Sequence, residues 1–179
     1  MALSATAAMA GPWSTTFYAG PETHDDSSQI FLKGQFHPDG TVIGIAVDRD
    51  VAELGSGFTL ADEGDVTHFI TKQDETTVDL GVGVVFHEFP WATPTTVALF
   101  TGLSWADDPP LIGTGTFHGA PINFARMSML EYVSAEMAME VAPAWSAVLR
   151  FHHRSGGFGL FAPNADEGSM FGVGIRRQF

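Results

Sequence analysis

The sequence predicts an all-β chain that closes into an eight-stranded antiparallel transmembrane β-barrel of the outer-membrane type. Three observations predict it. Turn signals cut the chain into segments of about ten residues, and within most of them one parity is apolar while the other is small or polar. Eight such segments can be counted, an even number, as single-chain bacterial barrels require. Opposite the apolar rows stand glycines, hydroxyls and arginines, a composition suited to a tight polar interior behind a wall that meets acyl chains.

The predicted strands are, in order, Trp13–Gly20, Thr41–Asp50, Phe58–Ile70, Thr77–Phe86, Thr96–Trp105, Arg126–Val141, Trp145–Ser155 and Ser169–Phe179. The fourth alternates most clearly, with Val78, Leu80, Val82, Val84 and Phe86 facing one way and Asp79, Gly81 and Gly83 the other. In the fifth, Val97, Leu99, Leu103 and Trp105 oppose Ala98, Phe100, Gly102 and Ser104. The seventh sets Ala147, Leu149 and Phe151 against Ser146, Arg150, His152 and Arg154. The last sets Phe171, Val173, Ile175 and Phe179 against Gly172, Gly174, Arg176 and Gln178. Long connections at 21–40, 106–125 and 156–168 alternate with short ones at 52–57, 89–95 and 142–144, as external loops alternate with periplasmic turns; only the short 71–76 link breaks the rule. Ile30 to Phe36 is apolar enough for a further strand, but a ninth would break the parity, so it is assigned to an extension of the first hairpin. Trp13, Trp91, Trp105, Trp145 and Phe179 fall at strand ends, where interfacial aromatic girdles sit.

A water-soluble lipocalin-like barrel is the competing architecture. It would leave the small and charged rows facing solvent and pack the large residues inward, the less economical use of these rows. The formal charge of −13, with Lys33 and Lys72 as the only lysines, argues against a nucleic-acid partner. Without cysteine there is no disulfide, thiolate metal site or thiol nucleophile. No apolar run reaches the roughly 20 residues of a transmembrane helix, a test that barrels escape. Residues 1–10, small and apolar and ending Ala8-Met9-Ala10, read as the remnant of a signal peptide or a disordered N-terminus, and 11–179 as a single barrel domain.

There is no G-x-S-x-G elbow, H-E-x-x-H zinc helix or Gly-rich phosphate loop. What remains is His152-His153-Arg154-Ser155. By the parity of the seventh strand, His153 and Ser155 continue the outward row of Leu149 and Phe151, with side-chain bases roughly 7 Å apart, close enough for an imidazole to activate a hydroxyl. Rim residues touching lipid headgroups are the alternative. Two carboxylates qualify to orient the imidazole. Glu167 shares the parity of Phe171 and Val173 on the neighbouring last strand, and the tight turn at 142–144 brings Glu131 near Ser155 on the other side.

These residues, His153-Arg154-Ser155, Asn164, Glu167 and the closing Phe179, resemble the outer-membrane lipid A 3-O-deacylases, also called acyloxyacyl-hydrolase-like proteins. The resemblance is local to the C-terminal third. It implies an eight-stranded barrel with a His-x-Ser pair near its outer rim and a Glu twelve positions after the serine, a spacing that joins Ser155 to Glu167. On that resemblance His153 is the general base, Ser155 the nucleophile and Glu167 the orienting acid. The family carries an asparagine directly after the serine in its oxyanion hole; Gly156 stands here, and its N–H, Asn164 or Arg154 is left to serve instead. A wider group of barrels shares His-His-Arg-Ser-Gly followed by Gly159-Leu160-Phe161, and the Phe89-Pro90-Trp91 turn.

Two functions follow as expectations. One is an esterase of the bacterial outer membrane that removes an ester-linked 3-hydroxyacyl chain from lipid A, the lipopolysaccharide anchor, by a His–Ser–Glu mechanism with Glu131 as alternate acid. It needs no metal or organic cofactor, unless divalent cations help an acidic protein approach a phosphorylated glycolipid. The other is a non-catalytic structural barrel related to the deacylases. Either leaves room for a homodimer.

Overall fold

The computed structural model describes residues 13–23, 25, 27–70, 74–91, 93–108, 115–117, 120–122, 128–157 and 166–179, excepting the side chains of 27–28, 115–117, 120–122 and 166–167. The N-terminal stretch read as a signal-peptide remnant and Asn164 lie outside the described residues. Eight long strands, β1 (Trp13–Thr23), β2 (Gly40–Gly55), β3 (Phe58–Ile70), β4 (Glu75–Phe86), β5 (Thr95–Ala106), β8 (Met129–Ala142), β9 (Trp145–Ser155) and β10 (Asp166–Gln178), form one closed antiparallel barrel in which β1 pairs with β10. A short hairpin of β6 (Gly115–Phe117) and β7 (Ala120–Ile122) sits in the long β5–β8 connection as a separate sheet. All eight predicted strands are present, most of them a few residues longer than the alternation alone indicated.

The pleat points the expected way. On β4, Leu80 and Val82 are 67% and 58% exposed, while Asp79, next to Leu80, is fully buried. Leu149 and Val173 are exposed on β9 and β10, whereas Arg150, His152 and Arg154 are buried. An exposed aliphatic belt around a lumen of buried charge is stable only if the outer wall faces hydrocarbon, because in water the belt would be a very large apolar patch.

The lumen is an ion-pair network. Arg150 donates from its two terminal nitrogens to Glu63 (2.8 Å), Asp65 (2.7 Å) and Glu136 (3.2 Å), which pairs a guanidinium charge that burial would otherwise make very costly. Arg176 bridges Asp48 and Glu136, Arg154 reaches Glu75 (3.1 Å), and His152 Nε2 lies 2.8 Å from Asp79 Oδ2. Two tyrosines complete the packing. Tyr18 donates to Asp65 and meets Thr67 Oγ1 at 2.6 Å, with its ring laid over Gly44, where a Cβ would come within 2.3 Å of the hydroxyl. Tyr132 covers Gly81 in the same way. Gly44 and Gly81 are thus the seats of aromatic rings where the barrel is too narrow for both ring and side chain.

At the short-turn end, β2 and β3 are joined through Ser56 and Gly57, and β8 and β9 through Pro143 and Ala144, with φ of 53° at Ser56, 75° at Gly57 and 65° at Ala144. At the opposite end, the apolar segment assigned to a hairpin extension is instead a helix, α1 (Ser27–Lys33). Its spacing puts Ile30 inward and Phe31 edge-on to Phe151 (5.0 Å) and Phe171 (6.3 Å) of the outer wall, while Phe31 and Leu32 stay exposed, as suits a short helix lying at a membrane interface. The loop after α1 is fastened where Asp25 Oδ2 accepts the N–H of His37 at 2.6 Å, and this bond holds the Asp25 carboxyl below its usual pKa.

Candidate functional site

Alternation along β9 sends His152 and Arg154 into the lumen and His153 and Ser155 to the outer face. Registers on both sides complete the setting. His153 stands between Ser169 of β10 and Val133 of β8, and Ser155 between Asp166 of β10 and Glu131 of β8. The imidazole stacks on Phe151, with ring centroids 6.2 Å apart and planes 12° from parallel.

His153 Nδ1 lies 3.1 Å from the carbonyl oxygen of Gly168 and 3.0 Å from Ser169 Oγ. A carbonyl only accepts, so this contact puts a proton on Nδ1, and in the neutral imidazole the lone pair is then on Nε2. Ser155 Oγ accepts from the N–H of Gly157 at 3.4 Å. Gly156 is buried immediately after β9, next to the hydroxyl.

Both acids considered from the sequence belong to the strands flanking β9. Glu131 is directly opposite Ser155, as the tight-turn argument expected, and accepts from Thr101 Oγ1 at 3.2 Å on its far side. Glu167 falls at an irregularity between Asp166 and Gly168, so Asp166 takes the backbone position opposite Ser155 and Glu167 is the extra residue. A simple extension of the parity from Phe171 does not hold past that point. The carboxylate of Glu167 lies outside the described residues. Sequence reasoning missed Gly168 and Ser169 as partners of His153. Ser169 shares the parity of Phe171, and the strand pairing sets it directly opposite His153, a register that parity on one strand does not give.

Beneath the pair, toward the middle of the wall, an apolar groove of about 460 Å³ runs between β8, β9 and β10. Ala135 forms its low floor between Met137, Leu149, Phe151, Phe171 and Val173. α1 borders its upper end through Phe31. A hydroxyl and an imidazole above an apolar channel open to the side form a site that a lipid could enter without leaving the bilayer.

No protein-family profile and no curated protein matches the chain. Solved structures do. The outer membrane enzyme PagL superposes with a TM-score of 0.64 at 9% identity, over 92% of this chain and 98% of its own. The outer membrane protein Ail of Yersinia pestis gives 0.53 at 10% identity over 94% and 99%, and Neisserial surface protein A gives 0.51 at 11% over 96% and 99%. At such identities the likeness establishes the fold, that of bacterial outer-membrane barrels whose apolar wall meets lipid.

Proposed function

We propose that this barrel is an outer-membrane esterase that removes an ester-linked 3-hydroxyacyl chain from lipid A, with Ser155 as nucleophile, His153 as general base and Glu167 as orienting acid, Glu131 being the alternate. The observation that carries the reading is the placement of His153 and Ser155 on one outer face above an apolar groove. Nδ1 is turned to the Gly168 carbonyl, and the reading gives Nε2 the role of base toward Ser155.

The steps follow from that placement. Ser155 Oγ attacks the acyl carbonyl as Nε2 takes its proton, and the tetrahedral oxyanion needs N–H donors, a role given to the amides of Gly156 and of Gly157, whose N–H already reaches Ser155 Oγ. Collapse expels the sugar oxygen, which receives the proton from the imidazolium. Water activated by Nε2 then attacks the acyl-serine and releases the fatty acid. The groove past Ala135 and Leu149 suits the acyl chain, and the polar sugar and phosphates stay at the rim. The likeness to an outer membrane enzyme supports this reading at the level of fold.

One observation favours the second reading, a barrel that performs no chemistry: Gly156 stands where the deacylases carry a hole-forming asparagine. Refolded barrel incubated with lipid A and followed by mass spectrometry separates the two. The esterase reading expects loss of one 3-hydroxyacyl mass by the native chain and none by Ser155→Ala. No release by either supports the structural barrel.

A further inference from the structure

We propose that the lumen holds one divalent transition-metal ion of the zinc class between Asp65, Asp79 and His152, separate from the outer-face site. The first support is geometric. One ligand atom from each of these three buried residues lies within 4.8 Å of the others, with Asp65 and Asp79 paired across β3 and β4 and His152 reaching over from β9. A tetrahedral ion with bonds of about 2.0 Å spaces its ligands about 3.3 Å apart, so His152 Nε2 and Asp79 Oδ2, now 2.8 Å apart, would open by roughly half an ångström to admit it.

The second support is independent of that cluster. Ser104, opposite Asp79 on β5 and facing the same lumen, is fully buried, and its Oγ has no hydrogen-bond partner. Asp79 Oδ1 is likewise buried and unsatisfied. Buried oxygens without donors are costly, and two on adjacent strands at one level call for a bound cation or water. Asp65 accepts from Thr67 on one oxygen and Arg150 on the other, with the single Tyr18 proton shared between both, so that proton would settle on one oxygen to free a site for the ion on the other.

Charge decides for a cation. The connected cluster contains five carboxylates, Asp48, Glu63, Asp65, Asp79 and Glu136, against the guanidinium groups of Arg150 and Arg176. Counted fully ionised and with His152 protonated against Asp79, 5 − 3 leaves two negative charges in excess inside a lipid-embedded wall; a divalent ion that displaces the imidazole proton lowers the excess to one. One imidazole among oxygen donors selects zinc or a similar first-row ion over magnesium or calcium. Its position also has a consequence for β9, since His152 is adjacent to His153. The ion would pin from inside the strand that carries the outer-face pair.

Untagged, refolded barrel stripped with a chelator, exposed to Zn²⁺ and desalted should retain one zinc per chain by elemental analysis and unfold at a higher temperature than the stripped protein. Asp79→Asn and His152→Gln should each lower zinc retention at least tenfold while still running as compact, heat-modifiable barrels. Zinc X-ray absorption on the native barrel, which requires no variant to fold, should show a nitrogen and at least two oxygens at about 2.0–2.1 Å. A native barrel that retains no zinc, variants that retain it undiminished, or a first shell without nitrogen would each overturn the site.

Discussion

Ser169 Oγ lies 3.0 Å from His153 Nδ1, which makes a serine of β10 part of the setting of the imidazole on β9. In the proposed esterase Ser169 is a positioning residue that acts through His153. Ser169→Ala is expected to lower kcat about tenfold, a fraction of the roughly 10²–10⁴ that general-base catalysis contributes, with KM little changed. Ser169→Thr, which keeps the hydroxyl, should restore most of the rate. A Ser169→Ala barrel with unchanged kcat and pH profile would show that the Gly168 carbonyl suffices.

Arg150 is the hub of the lumen, and its loss leaves Glu63, Asp65 and Glu136 buried without their shared cation. Arg150→Met should destabilise the barrel by about 3–5 kcal/mol, read as a shift in the urea midpoint of refolding into detergent.

Tyr18 and Gly44 occupy one row, and the ring cannot retreat because its hydroxyl is held by Asp65 and Thr67. Gly44→Ala should cost about 1–3 kcal/mol through overpacking. The same substitution in a Tyr18→Leu background should cost clearly less, a non-additivity that a double-mutant cycle measures directly.

Ala144 has a φ of 65° in the tight β8–β9 turn. Left-handed backbone is strained for alanine and free for glycine, so Ala144→Gly should stabilise the barrel by about 0.5–1 kcal/mol after the entropy cost of glycine is counted. Equilibrium unfolding of the two proteins under one condition checks the sign.

Much of this was legible in the sequence because a barrel strand records its environment every second residue. Thr77 to Phe86 needed no more than its alternation to fix its lipid face, though the strand begins two residues earlier, at Glu75. The same rule put His153 and Ser155 on one surface and Glu131 beside them. The backbone register beyond Gly168 was not legible, because a single extra residue there changes which residue stands opposite Ser155, and no residue type announces it. The rule failed at Ile30 to Phe36, where a short apolar run fits strand and helix periods alike and packing of Phe31 on the wall settles the matter. The lumenal network was legible only as polarity. Which carboxylate meets Arg150 depends on residues from β3, β8 and β9 converging, and a linear reading does not order them.

The direction of the pleats at the top of β9 underlies everything proposed for the outer face, and the absence of cysteine makes it directly measurable. Single cysteines at Leu149, Phe151 and His153, each carrying a fluorophore in barrels refolded into bilayers, can be compared with one at Val148 for quenching by brominated lipids. The outward positions should be quenched strongly and the lumenal position weakly. Equal quenching at Val148 and Leu149, or shielding of His153 from lipid, would contradict the account.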